Sequence, residues 1–193
     1  YVQSPDERAE VARVVVDQVA GRVPVVVGAG AVGTAESVRI ARDAAAAGAD
    51  AVSIISPYFA AASQDELAEH FRRVAGEVDV PVIVYNIPAR TGVNVAPATV
   101  ERLAQVDNIV AVKDSSGNFD TILQYLERTD RETFSVISGN DSLILWTLLA
   151  GGTGGISGIA NVYPATMASI YDLFVAGDVD AARAVQDSIR PIR

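Results

Sequence analysis

At 193 residues and 50% hydrophobic content, the chain is long and apolar enough to bury a substantial core. A net charge of −9 without basic runs weighs against nucleic acid or an anionic membrane as partner, and no apolar run approaches the roughly 20 residues that span a bilayer. The absence of cysteine excludes disulfides, thiol catalysis and thiolate metal sites.

The first predicted element is a helix over 5–20. Ser4-Pro5-Asp6-Glu7 reads as a capping box with Pro at the opening helical position. A short apolar run at 23–28 follows, then a helix at 34–48 that Gly48 stops. Next come a strand at 51–55, a helix at 63–77 opened by a second capping box (Ser63-Gln64-Asp65-Glu66), and a strand at 81–85. Pro97 opens a helix over 97–105, and a strand is expected at 109–113. The remainder reads as helix 118–128, strand 135–138, helix 141–150, strand 154–157, helix 163–176 stopped by Gly177, and helix 179–190.

The strand candidates are nearly continuous apolar runs, as parallel strands covered on both faces should be. Strands beginning roughly 20 to 30 residues apart, with a helix between each pair, suit an α/β fold of the (β/α)8 TIM-barrel class. A doubly wound open sheet is the alternative. Six strands are predicted where a barrel needs eight, so the expectation is one partial barrel domain over 1–193 lacking about two N-terminal strands. The chain opens at Tyr1 with no visible signal peptide, and a cytoplasmic protein is expected.

Of fifteen cationic residues, fourteen are Arg and one, Lys113, is Lys. Guanidinium does not deprotonate in proteins, so Arg cannot serve where a neutral nitrogen must attack. Lys113 closes the strand Ile109-Val110-Ala111-Val112-Lys113. In a barrel the active site lies at the C-terminal strand ends, and side chains two apart share a face. Ile109, Ala111 and Lys113 therefore point one way, as do Ile83 and Tyr85 on the preceding strand. Burial among apolar strands favours the neutral amine, which attacks a ketone to give a Schiff base. The iminium is then an electron sink, and a nearby phenol such as Tyr85 can carry the protons. A core aromatic with a satisfied hydroxyl is the competing account of Tyr85. Ser138-Gly139-Asn140-Asp141 and Gly151-Gly152-Thr153-Gly154-Gly155 leave little side-chain bulk at the last two strand ends, through which a substrate could approach backbone groups. Tight turns alone would also account for them.

Tyr85-Asn86-Ile87-Pro88-Ala89-Arg90-Thr91-Gly92, followed by Val112-Lys113-Asp114-Ser115-Ser116-Gly117, resembles the dihydrodipicolinate synthase and N-acetylneuraminate lyase superfamily. The resemblance extends through Ser56-Pro57-Tyr58, Ser138-Gly139 and Gly155-Ile156-Ser157, and so over essentially the whole chain. It implies that Lys113 binds pyruvate or another 2-oxo acid covalently and that Tyr85 is the relay. It also implies that Gly139 and Ile156 line the site, and that the enzyme is a homotetramer without metal or organic cofactor. Arg90 matches the arginine that holds the aldehyde substrate's carboxylate, which favours the synthase-like branch over a sugar-acid aldolase. Phe59 stands where typical synthases carry a second tyrosine whose hydroxyl joins the relay of a neighbouring subunit. Val32 replaces the asparagine of lysine-inhibited members, so weak or absent lysine feedback is expected. The family's pyruvate-carboxylate loop, after its second strand, is absent from the sequence, and the chain by itself is expected to have poor activity.

Other readings carry less. Gly28-Ala29-Gly30-Ala31-Val32-Gly33 matches a dinucleotide fingerprint, but the next strand ends Ile54-Ile55-Ser56-Pro57 with no acid for a ribose. His70, the only histidine, is expected to be a half-exposed helix residue rather than a metal ligand. Trp146, Leu143, Leu148 and Leu149 are expected to pack a helix onto the sheet. A non-catalytic barrel that binds or assembles is the remaining alternative, and the presence of both Lys113 and Tyr85 speaks against it.

Overall fold

The computed structural model describes residues 3–192. It divides into two compact units, the first ending at Val110 and the second beginning at Ala111.

In the first unit, α1 (Pro5–Val19), α2 (Thr34–Ala46), α3 (Gln64–Ala75) and α5 (Pro97–Leu103) accompany β1 (Val26–Gly28), β2 (Ala51–Ile55) and β3 (Val82–Asn86). The strands are parallel and lie in chain order, with Val27 beside Val52 and Ile54 beside Val84. The helices pack in the same succession, α1 on α2, α2 on α3 and α3 on α5. A doubly wound sheet would reverse its strand order, so this progression is that of the (β/α)8 class. On β2, Val52 and Ile54 are fully buried while Ala51, Ser53 and Ile55 are partly covered, as period-2 alternation requires.

Both capping boxes form. The Ser4 and Ser63 hydroxyls accept from the backbone N–H groups of Glu7 and Glu66, whose carboxylates accept from the serine N–H groups in return. Each cap contributes about 1 kcal/mol to its helix. The 23–28 strand begins only at Val26, because Pro24 has no N–H and the Val25 N–H donates to the Asp50 carboxylate instead of a ladder. A short helix α4 (Pro88–Thr91) was not anticipated. Four residues carry no hydrophobic period, and Pro88 at its start and Gly92 at φ 73° beyond its end define it.

The strand β4 (Ile109–Asp114) enters the second unit, which continues with α6 (Phe119–Arg128), β5 (Ser135–Ser138), α7 (Ile144–Leu149), β6 (Gly154–Gly155), α8 (Pro164–Val175) and α9 (Val179–Ser188). Here too the pairing is parallel and sequential, with Lys113 beside Ile137, Asp114 beside Ser138, and Ser138 beside Gly155. Leu145, Leu148, Met167, Ile170, Ala182 and Ile189 form its helical core.

The expected helix 141–150 opens as a 3₁₀ turn, Asp141–Leu143, and only then becomes α7. Asn140 Oδ1 takes the Ser142 N–H, and Gln186 Oε1 takes that of Leu145. Those side chains satisfy donors that an α-helix beginning at 141 would leave unpaired. Leu148 packs into the core as expected, whereas Leu149 is 46% exposed. Trp146 is partly covered, with the Arg183 guanidinium 6.0 Å from its ring centre. Among the described residues, no helix is long and apolar enough to cross a membrane.

The expectation for His70 is overturned, since the side chain is 4% exposed. On α3 it faces inward, with Nδ1 2.9 Å from Thr34 Oγ1 and Nε2 buried without a hydrogen-bond partner. Burial pushes the imidazole down to about 4 from an ordinary 6.5. Between those values the unfolded chain binds the proton that the folded chain refuses. Stability is therefore complete above about pH 6.5 and falls by about 3 kcal/mol as the pH drops to 4. Urea unfolding midpoints measured across this range should show that loss, and His70→Phe should flatten it.

Candidate active site

Lys113 is the penultimate residue of β4 and lies half-buried between the fully buried Val112 and Asp114. Its side chain passes directly over Gly139, the residue after β5. A methyl group built on Gly139 would lie 2.8 Å from Lys113 Cε, 3.1 Å from the Asp114 carbonyl oxygen, and in closer conflict still with Ser115 Oγ. Gly139 is therefore glycine for lack of space. It also holds the strand ends together, since its N–H donates to the Asp114 carbonyl at 2.6 Å. Ile156 follows β6, is exposed, and donates its N–H to the Ser138 carbonyl at 2.8 Å. Lys113, Gly139 and Ile156 thus stand at the C-terminal ends of three successive parallel strands.

Asp114 sets the path of the chain beyond Lys113. Its fully buried carboxylate accepts from the Ser116 N–H at 3.0 Å and from the Ser116 hydroxyl at 2.6 Å. This turn leaves Ser115 on the Lys113 face. Tyr125 of α6 is fully buried, and its phenol is held neutral, first by burial and then by the charge of Asp114.

The other two expected site residues belong to the first unit. Tyr85 lies half-buried near the end of β3, and Arg90 is exposed on α4. The segment carrying Arg90 is secured by polar contacts. The fully buried Asn86 donates to Asn94 Oδ1 at 2.8 Å and accepts from the Val95 N–H at 3.0 Å. Gln64 of α3 accepts from the Ala96 N–H and the Thr99 hydroxyl and donates to the Asn94 carbonyl. Phe59, beyond β2, is 98% exposed and holds φ 79°, a left-handed conformation that costs a non-glycine residue about 1–2 kcal/mol. Val32 is an exposed residue of the loop before α2.

Ser115, Asp114 and Asn86 were not singled out from sequence. Ser115 could have been, because it lies two residues beyond Lys113 and shares its parity. Burial of the polar Asp114 and Asn86 left no pattern in the sequence. Among the described residues, no cluster of three or more His, Asp or Glu side chains could hold a metal ion.

The family model for the dihydrodipicolinate synthetase family matches residues 1–193. The chain is 42% identical over 189 residues to the 4-hydroxy-tetrahydrodipicolinate synthase of Syntrophus aciditrophicus, covering 98% of this chain and 65% of that protein. It is 39% identical over 189 residues to the enzyme of the same name from Archaeoglobus fulgidus, covering 98% of this chain and 64% of that one. Among solved structures, dihydrodipicolinate synthase from Thermotoga maritima superposes with a TM-score of 0.96 at 34% identity, over 99% of this chain and 66% of that one. YagE, a prophage protein of Escherichia coli K12 in the dihydrodipicolinic acid synthase family, solved with pyruvate, gives 0.93 at 33% identity, over 97% and 64%. The chain belongs to the dihydrodipicolinate synthetase family and has its α/β, (β/α)8-class fold. It spans slightly under two thirds of the length of the curated relatives it matches.

The crowding at Gly139 predicts a measurable coupling. Gly139→Ala should destabilise by about 1–3 kcal/mol, the usual cost of overpacking. Adding Ser115→Ala should recover part of that loss, because the hydroxyl is the nearest obstacle. A double-mutant cycle by chemical denaturation reads the term directly.

Proposed function

We propose that the protein to which this member of the dihydrodipicolinate synthetase family belongs is a Schiff-base-forming lyase, which joins or cleaves pyruvate (or a related 2-oxo acid) and an aldehyde. The synthase-like reaction is the main reading, that of a 4-hydroxy-tetrahydrodipicolinate synthase. Its support is the identity of about 40% to enzymes of that name along nearly the whole chain. The observation that carries the chemistry is a single one. The chain's only lysine stands at a strand's C-terminal end, above a glycine that leaves it room.

In this reading the neutral Lys113 amine attacks the 2-oxo carbon, and loss of water gives an iminium. That iminium withdraws electrons from the adjacent methyl carbon, which loses a proton and becomes the nucleophile toward the aldehyde. Tyr85 carries protons in these steps. Arg90 holds the carboxylate of the aldehyde substrate, and Gly139 and Ile156 shape the 2-oxo acid pocket. The iminium is the electron sink, so the step calls on no metal or organic cofactor. A homotetramer in the cytoplasm is the expected state, and the fully exposed, left-handed Phe59 supports burial of that loop against another copy. Phe59 brings no hydroxyl to such an interface. A sugar-acid aldolase is the second reading, and the exposed Arg90 favours the first, because its guanidinium suits a carboxylate-bearing aldehyde.

Incubation of the intact protein with pyruvate and borohydride, followed by peptide mapping, tests the chemistry. A reduced pyruvyl adduct on Lys113, lost in Lys113→Ala, is the expected result. A folded intact protein that gives no adduct is not a pyruvate Schiff-base enzyme. Arg90→Leu tests the branch. It should raise the KM for a carboxylate-bearing aldehyde by about 10- to 100-fold, the weight of one charged hydrogen bond, while leaving adduct formation with pyruvate unchanged.

A further inference from the structure

We infer that Gln186 of α9 is a positioning residue for the 2-oxo acid pocket, because it fixes the turn that links Gly139 to the loop beyond Ile156. The inference rests on the reading of Gly139 and Ile156 as residues that shape that pocket.

The position of Gln186 in the fold is one for an apolar residue. Ala182, Gln186 and Ile189 follow one another at helical spacings of four and three, and all three are buried. Ala182 and Ile189, on either side, belong to the helical core. An amide in such a stripe loses hydration at both its oxygen and its nitrogen, and is tolerated where both find partners. Both do, and neither partner lies in α9. Gln186 Nε2 donates to the Asp141 carbonyl at 2.8 Å, and Gln186 Oε1 accepts from the Leu145 N–H at 3.0 Å. One side chain thus spans the 3₁₀ turn Asp141–Leu143 and holds both its first carbonyl and the start of α7.

That turn carries the strand-end residues. Gly139 stands between two clamps. On one side the Ser138 hydroxyl donates to the Asn140 carbonyl at 2.9 Å and accepts from the Asn140 N–H at 3.2 Å; on the other, Gln186 holds Asp141. Asp141 passes the constraint to the neighbouring loop. Its Oδ2 accepts from the Ile159 N–H at 3.3 Å, three residues beyond Ile156, while its Oδ1 is buried without a hydrogen-bond partner. A carboxylate with one long hydrogen bond takes its place from its backbone, and Gln186 anchors that backbone. Lys113, by contrast, is carried by β4 and its ladder to β5. Loss of the Gln186 amide therefore loosens the walls of the pocket and spares the nucleophile. Affinity for the 2-oxo acid falls while the rate at saturation is kept.

The experiment follows pyruvyl adduct on Lys113 in the intact protein, quenched with borohydride at a series of pyruvate concentrations and read by mass. Gln186→Met keeps the volume and removes both hydrogen bonds. Gln186→Glu keeps an acceptor for the Leu145 N–H, and so the start of α7, but replaces the amide donor to Asp141 by a carboxylate oxygen. Each is expected to raise the half-saturating pyruvate concentration about 10-fold, with the rate at saturation within about threefold of wild type. Ile170→Val thins the same core without touching the turn, and should leave half-saturation unchanged. If the Met variant does not fold, the Glu variant carries the test alone. A folded Gln186 variant with wild-type half-saturation overturns the proposal and leaves the Lys113 reading intact. An equal rise in Ile170→Val also overturns it, since the effect would then be one of core packing. Absence of adduct in the wild type would remove the Schiff-base reading itself.

Discussion

The close approach of the Lys113 side chain to Gly139 is the constraint on which the arrangement of the second unit's strand ends depends. Parallel pairing brings Asp114 beside Ser138, and the next residue must turn while its N–H still reaches the Asp114 carbonyl. Any side chain there would occupy the space of Lys113 Cε and Ser115 Oγ. Glycine resolves the conflict, at the cost of backbone entropy that the surrounding ladder must offset. What results is a half-buried lysine whose methylene lies close to the Ser115 hydroxyl, near the end of a strand whose interior is apolar.

The first unit adds polar contacts to its apolar core. The segment after β3 buries Val93 and Val95 and is secured further by Asn86 and Gln64, whose amides satisfy backbone and side-chain groups of residues 94–99. A fully buried amide that lost a partner would cost about 1–3 kcal/mol, so these contacts specify one conformation of the chain around Arg90. His70 shows the same economy with less satisfaction. One ring nitrogen is bonded to Thr34 and the other has no partner, which ties the unit's stability to the neutral imidazole. The acidic surface, by contrast, contributes mainly through pairs such as Arg13 with Glu10 and Arg72 with Glu69. These are solvent-exposed and each contributes no more than about 1 kcal/mol.

Much of this was legible in the sequence because it depends on local rules. The two capping boxes, the alternation along β2, the sequence of βα units and the isolation of Lys113 among fourteen arginines all follow from residue identity and spacing. The strand boundaries near Pro24 and beyond Gly155 shifted, because pairing there is decided by which partner backbone is available. The helix predicted over 141–150 was divided for a similar reason, since Gln186, far along the chain, supplies the acceptor for Leu145. His70 was expected to be half-exposed because its side chain is polar, although its spacing of three from Leu67 and four from Val74 puts it on the apolar face of the helix. Its burial is a property of the helix packing.

The sequence by itself determined the βα repeat and the family motifs around Tyr85, Arg90 and Lys113, and it set one lysine apart from fourteen arginines. It could do so because an amine, a capping serine or a parity of two is a property of a few neighbouring residues. Tertiary structure alone decided that Gly139 has no space for a methyl group, that Ser115 stands over the same point as the Lys113 methylene, and that Asp114 and Asn86 are buried and satisfied. The crowding at Gly139, the burial of Asp114 and Asn86 and the Asn86 contacts require segments separated by several to tens of residues to meet, and excluded volume exists only once they do.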